Sequence, residues 1–224
     1  MISSPAAGLF PVAAGSPDTA AVALGGAVGL IVSLLALKIG LIKPSYEMAE
    51  GEEIDDIDNA VPFDDEHDYN DRKEVLKETL FLLPVILSAI VALKLTQIPA
   101  ISEKWANFIE LPYISGFLGS LGGYLAGCAV VWATRIFGTL AFNKEAMGLG
   151  DVHLMGAAGA IIGAKWVVLA FFIAPFFGIL WALYQAIFKK MRQIPYGPFL
   201  SMAVFAVIIF YDWIQSILMN LYGF

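Results

Sequence analysis

From position 166 to 188 the chain reads WVVLAFFIAPFFGILWALYQAIF, with no charged side chain. A bilayer is crossed by roughly 20 apolar residues in a helix. Within it only helices or closed barrels satisfy their own backbone polar groups. Comparable blocks occupy 20–42, 79–95, 113–137 and 198–222, and a shorter one runs from just after Asp151 to Gly163. The expected fold is all-α, a polytopic transmembrane helical bundle of about six spans. Composition agrees: 59% of residues are hydrophobic and 15% charged, against roughly 45–50% and about 25% in soluble domains.

The segments between the blocks divide the chain. Residues 1–19 lack a basic start, so they read as a flexible N-terminal tail and not as a cleaved signal peptide. Residues 20–42 form the first transmembrane helix, 43–77 an acidic cytoplasmic loop and 78–224 a helical membrane domain. Net charge is -7, yet fourteen of the 20 acids lie between Glu47 and Glu78. The acidity therefore belongs to one loop and implies no nucleic-acid partner. That loop reads as disordered at first and as helix from Tyr69. Pro84 thins or kinks the second span. Ile101, Trp105, Phe108 and Ile109 share one helical face, the pattern of a short helix lying in the membrane interface.

Gly119, Gly123 and Gly127 recur every four residues in the third span, and Gly159 and Gly163 repeat that spacing in the fourth. Small-residue stripes of this kind let helices approach closely in lipid. Cys128 is the single cysteine, which leaves no disulfide and no paired-cysteine metal site within the chain; helix packing is its expected role. Phe171, Phe172, Phe176 and Phe177 are expected in the core or against lipid.

With six spans, Lys43, Arg72, Lys73, Lys77, Arg135, Lys144, Lys189, Lys190 and Arg192 share one side; Lys94, Lys104 and Lys165 share the other. Nine cations against three make the first side cytoplasmic, with both termini outside. Lys189, Lys190 and Arg192 could also meet anionic lipid. Asp151 then lies at the cytoplasmic boundary of the bilayer. An acid within the membrane is costly and a functional suspect; at the boundary, water reaches it. Gly148 and Gly150 beside it permit unusual backbone angles and close approach of another chain. The plainer role for Asp151 is to cap the fourth helix.

The stretch EAMGLGDVHLMGAAGAIIG, residues 145–163, resembles the GxGD motif of the type IV prepilin peptidases, a family of membrane aspartyl proteases. The resemblance extends over roughly 116–207, through a Gly-rich helix upstream and through APFFGILWAL and QIPYGPFLSMAV downstream. It implies hydrolysis of the leader peptides of pilin-like precursors at the cytoplasmic face of the inner (plasma) membrane, without metal or organic cofactor. Two aspartates would hold one water: one acts as general base, and the other, protonated, polarises the scissile carbonyl. Close carboxylates share a proton because both cannot ionise cheaply. Asp151 matches the family's second aspartate.

Three departures from the family pattern stand out. The first aspartate, usually in an Ile-Asp-x-x-x-x-x-Ile-Pro stretch, has no matching segment. Asp64 in FDDEHDYND is the nearest candidate, ahead of Asp65, Asp68 and Asp71; otherwise the chain is the C-terminal part of a longer enzyme or has lost that residue. The paired cysteines associated with N-methylation do not occur, so methyl transfer is not expected. His153 stands where the family often has Lys, turned about 200° from Asp151 at 3.6 residues per turn.

Two other residues draw blander readings. Asp212 is expected to face water or head groups. His67 reads as a solvated loop residue, and the acids around it lack an EF-hand pattern. The alternative to an endopeptidase is a catalytically inactive or partial member acting as a membrane scaffold for pilin-like assembly. A transporter or channel would need further polar residues near Asp151, and the sequence offers few.

Overall fold

The computed structural model describes residues 16–41, 71–142, 147–188 and 196–222. All the regular elements among them are helices: α1 (Pro17–Lys38), α2 (Asp71–Thr96), α3 (Pro99–Ile109), α4 (Pro112–Phe142), α5 (Leu149–Ile162), α6 (Ala164–Phe188), α7 (Gly197–Ile209) and α8 (Tyr211–Tyr222). Helices α1, α4 and α6, and 75–96 of α2, are long and apolar enough to cross a membrane. The chain is a multi-pass membrane protein. Two elements depart from simple spans. Helix α5 has 14 residues, about 21 Å at 1.5 Å per residue, shorter than the roughly 30 Å hydrocarbon core. The expected sixth span is a bent pair, α7 and α8, turning by 76° at Phe210.

The first helix begins and ends a few residues earlier than its hydropathy suggests. Ser16 caps it, accepting a hydrogen bond from the Thr19 N–H, and Pro17 occupies the first helical position, where its missing N–H costs nothing. Helix α3 is the expected amphipathic element. Trp105 Nε1 donates to the Pro17 carbonyl at 2.8 Å, and Ile109 packs with Ala20 and Leu118, so α3 binds the starts of α1 and α4 together. Ile101 and Phe108, on the same side of the helix, stay partly exposed.

Small residues set the helix spacing. Ser88 Oγ donates to the Gly25 carbonyl and Ser33 Oγ to the Phe81 carbonyl, each at 2.7 Å, lacing α1 antiparallel to α2. The α4–α5 seam is closer still. A Cβ at Gly123 would lie 2.7 Å from the Gly159 carbonyl carbon, and one at Gly127 would lie 2.6 Å from that of Met155. The glycine stripes thus let main chain touch main chain. Ser120 Oγ reaches the Ala160 carbonyl at 3.0 Å along the same seam, and Cys128 Sγ the Val152 carbonyl at 3.7 Å. Gly163, at φ 87°, makes the turn into α6, a backbone conformation that favours glycine.

The main core gathers Val131 of α4, Val152 and Met155 of α5, Val167, Ala170, Phe171 and Ala174 of α6, and Leu200, Ala203 and Val207 of α7. The short helix α5 is therefore surrounded by protein on three sides. Phe171 is buried and Phe177 packs on the core, while Phe172 and Phe176 are exposed. The alternation of helices brings the end of α4 and the starts of α2, α5 and α7 to one end of the bundle.

Candidate active site

Asp151 sits at that end, half-buried, as the third residue of α5. The N-cap is Gly148, not Asp151. Glycine offers no capping oxygen, so the helix starts on backbone geometry, with the Asp151 N–H donating to the Gly148 carbonyl at 3.2 Å. The helix then begins three residues before the expected boundary, and the carboxylate stands within its first turn. A negative charge there is favoured by the helix dipole.

The flanking glycines act through space and not through unusual angles. Gly148 has φ −76° and ψ 154°, a conformation open to most residues. Among the described residues, a Cβ at Gly150 would meet nothing within 4 Å, and one at Gly148 only the Gly150 nitrogen at 4.0 Å. Nothing among the described residues crowds this side of the turn. On the other side lies the start of α7. A Cβ at Gly197 would stand 3.4 Å from Asp151 Oδ1. Burial, and after it the charge of Asp151, push the Tyr196 phenol above its ordinary range. The IPYGP stretch thus contributes Tyr196 and Gly197 to the surroundings of Asp151.

A third group braces the turn from behind. Arg135, on α4, donates from Nε to Glu78 Oε1 at 3.1 Å and from Nη1 to the Met147 carbonyl at 2.9 Å. Trp132 Nε1 donates to Glu78 Oε2 at 3.3 Å. The charge count treats Arg135 as a loop cation, yet it is 1% exposed inside α4, and Glu78 is 5% exposed in α2. The overlooked signal is Trp132 and Arg135, three apart and so on one helix face, inside a greasy helix.

Asp64, Asp65, Asp68 and His67 lie outside the described residues, as do Lys43, Lys144, Lys189, Lys190 and Arg192. Asp71 opens α2. His153 is exposed. Asp212 is exposed in the first turn of α8, at the opposite end of the bundle. Among the described residues no three His, Cys, Asp or Glu side chains gather as metal ligands.

Residues 74–183 match the profile of the type IV leader peptidase family. The chain is 28% identical over 105 residues to a prepilin leader peptidase/N-methyltransferase of Aeromonas salmonicida, covering 46% of this chain and 35% of that protein. It is 26% identical over 145 residues to the Pseudomonas aeruginosa protein of the same name, covering 62% and 47%. With the one from Escherichia coli K12 it shares 30% over 95 residues, 42% of each. The match thus spans between about a third and a half of the length of these relatives. No solved structure matches the chain.

Proposed function

We propose, for a chain that belongs through residues 74–183 to the type IV leader peptidase family, an aspartyl endopeptidase that removes leader peptides from pilin-like precursors. Asp151 supplies one carboxylate, and Gly148 and Gly150 keep the path to it open for an extended peptide. The partner carboxylate is Asp64, from the acidic segment ahead of α2. Of the pair, one ionised acid takes a proton from the attacking water. The other, protonated, donates to the scissile carbonyl oxygen as it gains charge. Glu78 is not the partner: its two oxygens are held by Arg135 and Trp132.

The active-site face is cytoplasmic and the membrane is the inner (plasma) membrane. In the sequence, Lys43, Arg72, Lys73, Lys77, Lys144, Lys189, Lys190 and Arg192 belong to the segments that join helices at the Asp151 end, against Lys94, Lys104 and Lys165 at the other, which supports this orientation. The single observation that carries the reading is Asp151 in the first turn of α5, beside two glycines with open space around them among the described residues.

The test is cleavage of a synthetic precursor with a pilin-type leader by the purified chain in detergent, followed by mass spectrometry. One cut is expected after the leader, lost in Asp151→Asn and in Asp64→Asn. Cleavage that survives Asp151→Asn overturns the assignment of Asp151. No cleavage by the unaltered chain overturns the peptidase reading and leaves the membrane scaffold.

A further inference from the structure

Glu78 and Arg135 are the charged side chains most withdrawn from solvent among the described residues. If their task were only to hold α2 against α4, apolar side chains of similar volume would serve as well or better, because desolvating two charges offsets most of their attraction. The pair has a third member that such a replacement would lose. While Nε of Arg135 meets the Glu78 carboxylate, Nη1 holds the carbonyl of Met147. Met147 directly precedes Gly148, the N-cap of α5, and Asp151 follows four residues after Met147.

The chemistry of the guanidinium makes this arrangement directional. Its N–H donors lie in one rigid plane, so fixing one edge fixes where the others point. Glu78 fixes the Nε edge and is itself held by Trp132. The Nη1 donor therefore stands at a set place relative to α2 and α4, and it captures the main chain where that chain enters the Gly-Leu-Gly-Asp turn. This turn needs an external hold. Neither Gly148 nor Gly150 has a side chain to anchor it, and among the described residues the space around both is open.

We propose that Glu78 and Arg135 form a positioning latch that fixes the aspartate turn, with Arg135 acting on Asp151 through the Met147 carbonyl. This inference rests on the reading of Asp151 as a catalytic acid. The latch sets where the carboxylate stands and touches neither substrate nor water itself.

Hydrogen–deuterium exchange on the full chain in detergent micelles tests the latch without reference to cleavage. In Arg135→Lys the positive charge opposite Glu78 remains, but a single ammonium cannot reproduce the fork that also reaches Met147. The amides of 151–154 are expected to exchange about tenfold faster, while α1 and the middle of α4 keep their protection. Glu78→Gln, which keeps an acceptor for Nε and loses the charge, is the second variant, with a smaller rise in the same amides. In the cleavage assay Arg135→Lys is expected to lower kcat about a hundredfold, the order of loss that an ångström of misplacement causes, with KM little changed. Unchanged exchange at 151–154 in both variants overturns the latch. An equal rise throughout the bundle also overturns it, since that is the signature of a pair that merely pins α2 to α4. If the unaltered chain cleaves no leader, the peptidase reading fails by itself, and the exchange pattern still decides the latch.

Discussion

Replacing Gly123 by alanine adds one methyl group where the α4 and α5 backbones meet. Its Cβ would stand 2.7 Å from the Gly159 carbonyl carbon and 3.2 Å from the Gly163 Cα. Both neighbours are main chain, so neither can rotate aside, and the helices must part by roughly 1 Å to restore ordinary contact. A gap of 0.5–1 Å forfeits about a quarter to a half of each dispersion contact. With roughly 30 atom pairs along the seam at about 0.15 kcal/mol each, the loss is about 1.5 kcal/mol. This lies within the usual cost of overpacking, about 1–3 kcal/mol. For a chain of this size it corresponds to a fall of about 3–6 °C in Tm, read by thermal unfolding in detergent. Gly116→Ala is the matched control on the same helix, since among the described residues a Cβ there meets nothing within 4 Å. It should leave Tm unchanged or raise it slightly, as alanine is the better helix former. Equal Tm values for Gly123→Ala and the unaltered chain would refute the argument, as would an equal fall in Gly116→Ala.

Two further expectations concern the α7 side of the site. Gly197→Ala places a methyl group 3.4 Å from Asp151 Oδ1, so it should fold normally and lower kcat for leader cleavage about tenfold; Gly197→Val should lower it further, both read against Tm of the same samples. The Tyr196 phenol is held above its ordinary range by burial and by Asp151, so the folded state keeps its proton longer than the unfolded chain does. Its contribution to stability is complete below about pH 10, the ordinary tyrosine value, and is lost as pH rises through the higher folded value. Tyr196→Phe should remove that part of the alkaline fall, measured as Tm between about pH 9 and 11.

Most of the bundle could be read in the sequence because membrane spans are long, and length averages out local ambiguity. The run ending at Phe188 and the glycine stripes of α4 and α5 both lie where hydropathy and spacing put them. The start of α5 was less legible. Gly148 and Gly150 resemble loop residues, so the helix appeared to begin after Asp151, whereas a glycine N-cap leaves no side-chain signature. The break at Phe210 has no proline or glycine within the surrounding FAVIIFYDW to announce it. In the site, Asp151 was visible as an acid in greasy surroundings. The Glu78–Arg135 pair was not, because its members are 57 residues apart and each looked like a charge marking the end of a span. Only packing α2 against α4 turns two boundary charges into one buried contact.

The backbone seam between α4 and α5 also decides how firmly the carboxylate is mounted. Two main chains in contact have no rotamers to adjust, so α5 cannot slide or tilt against α4 without breaking the seam along its length. Asp151 is accordingly mounted on a helix whose place is set by the α4 backbone. The facing wall is the start of α7, which meets the carboxylate through a bare glycine and shares no such seam with α4.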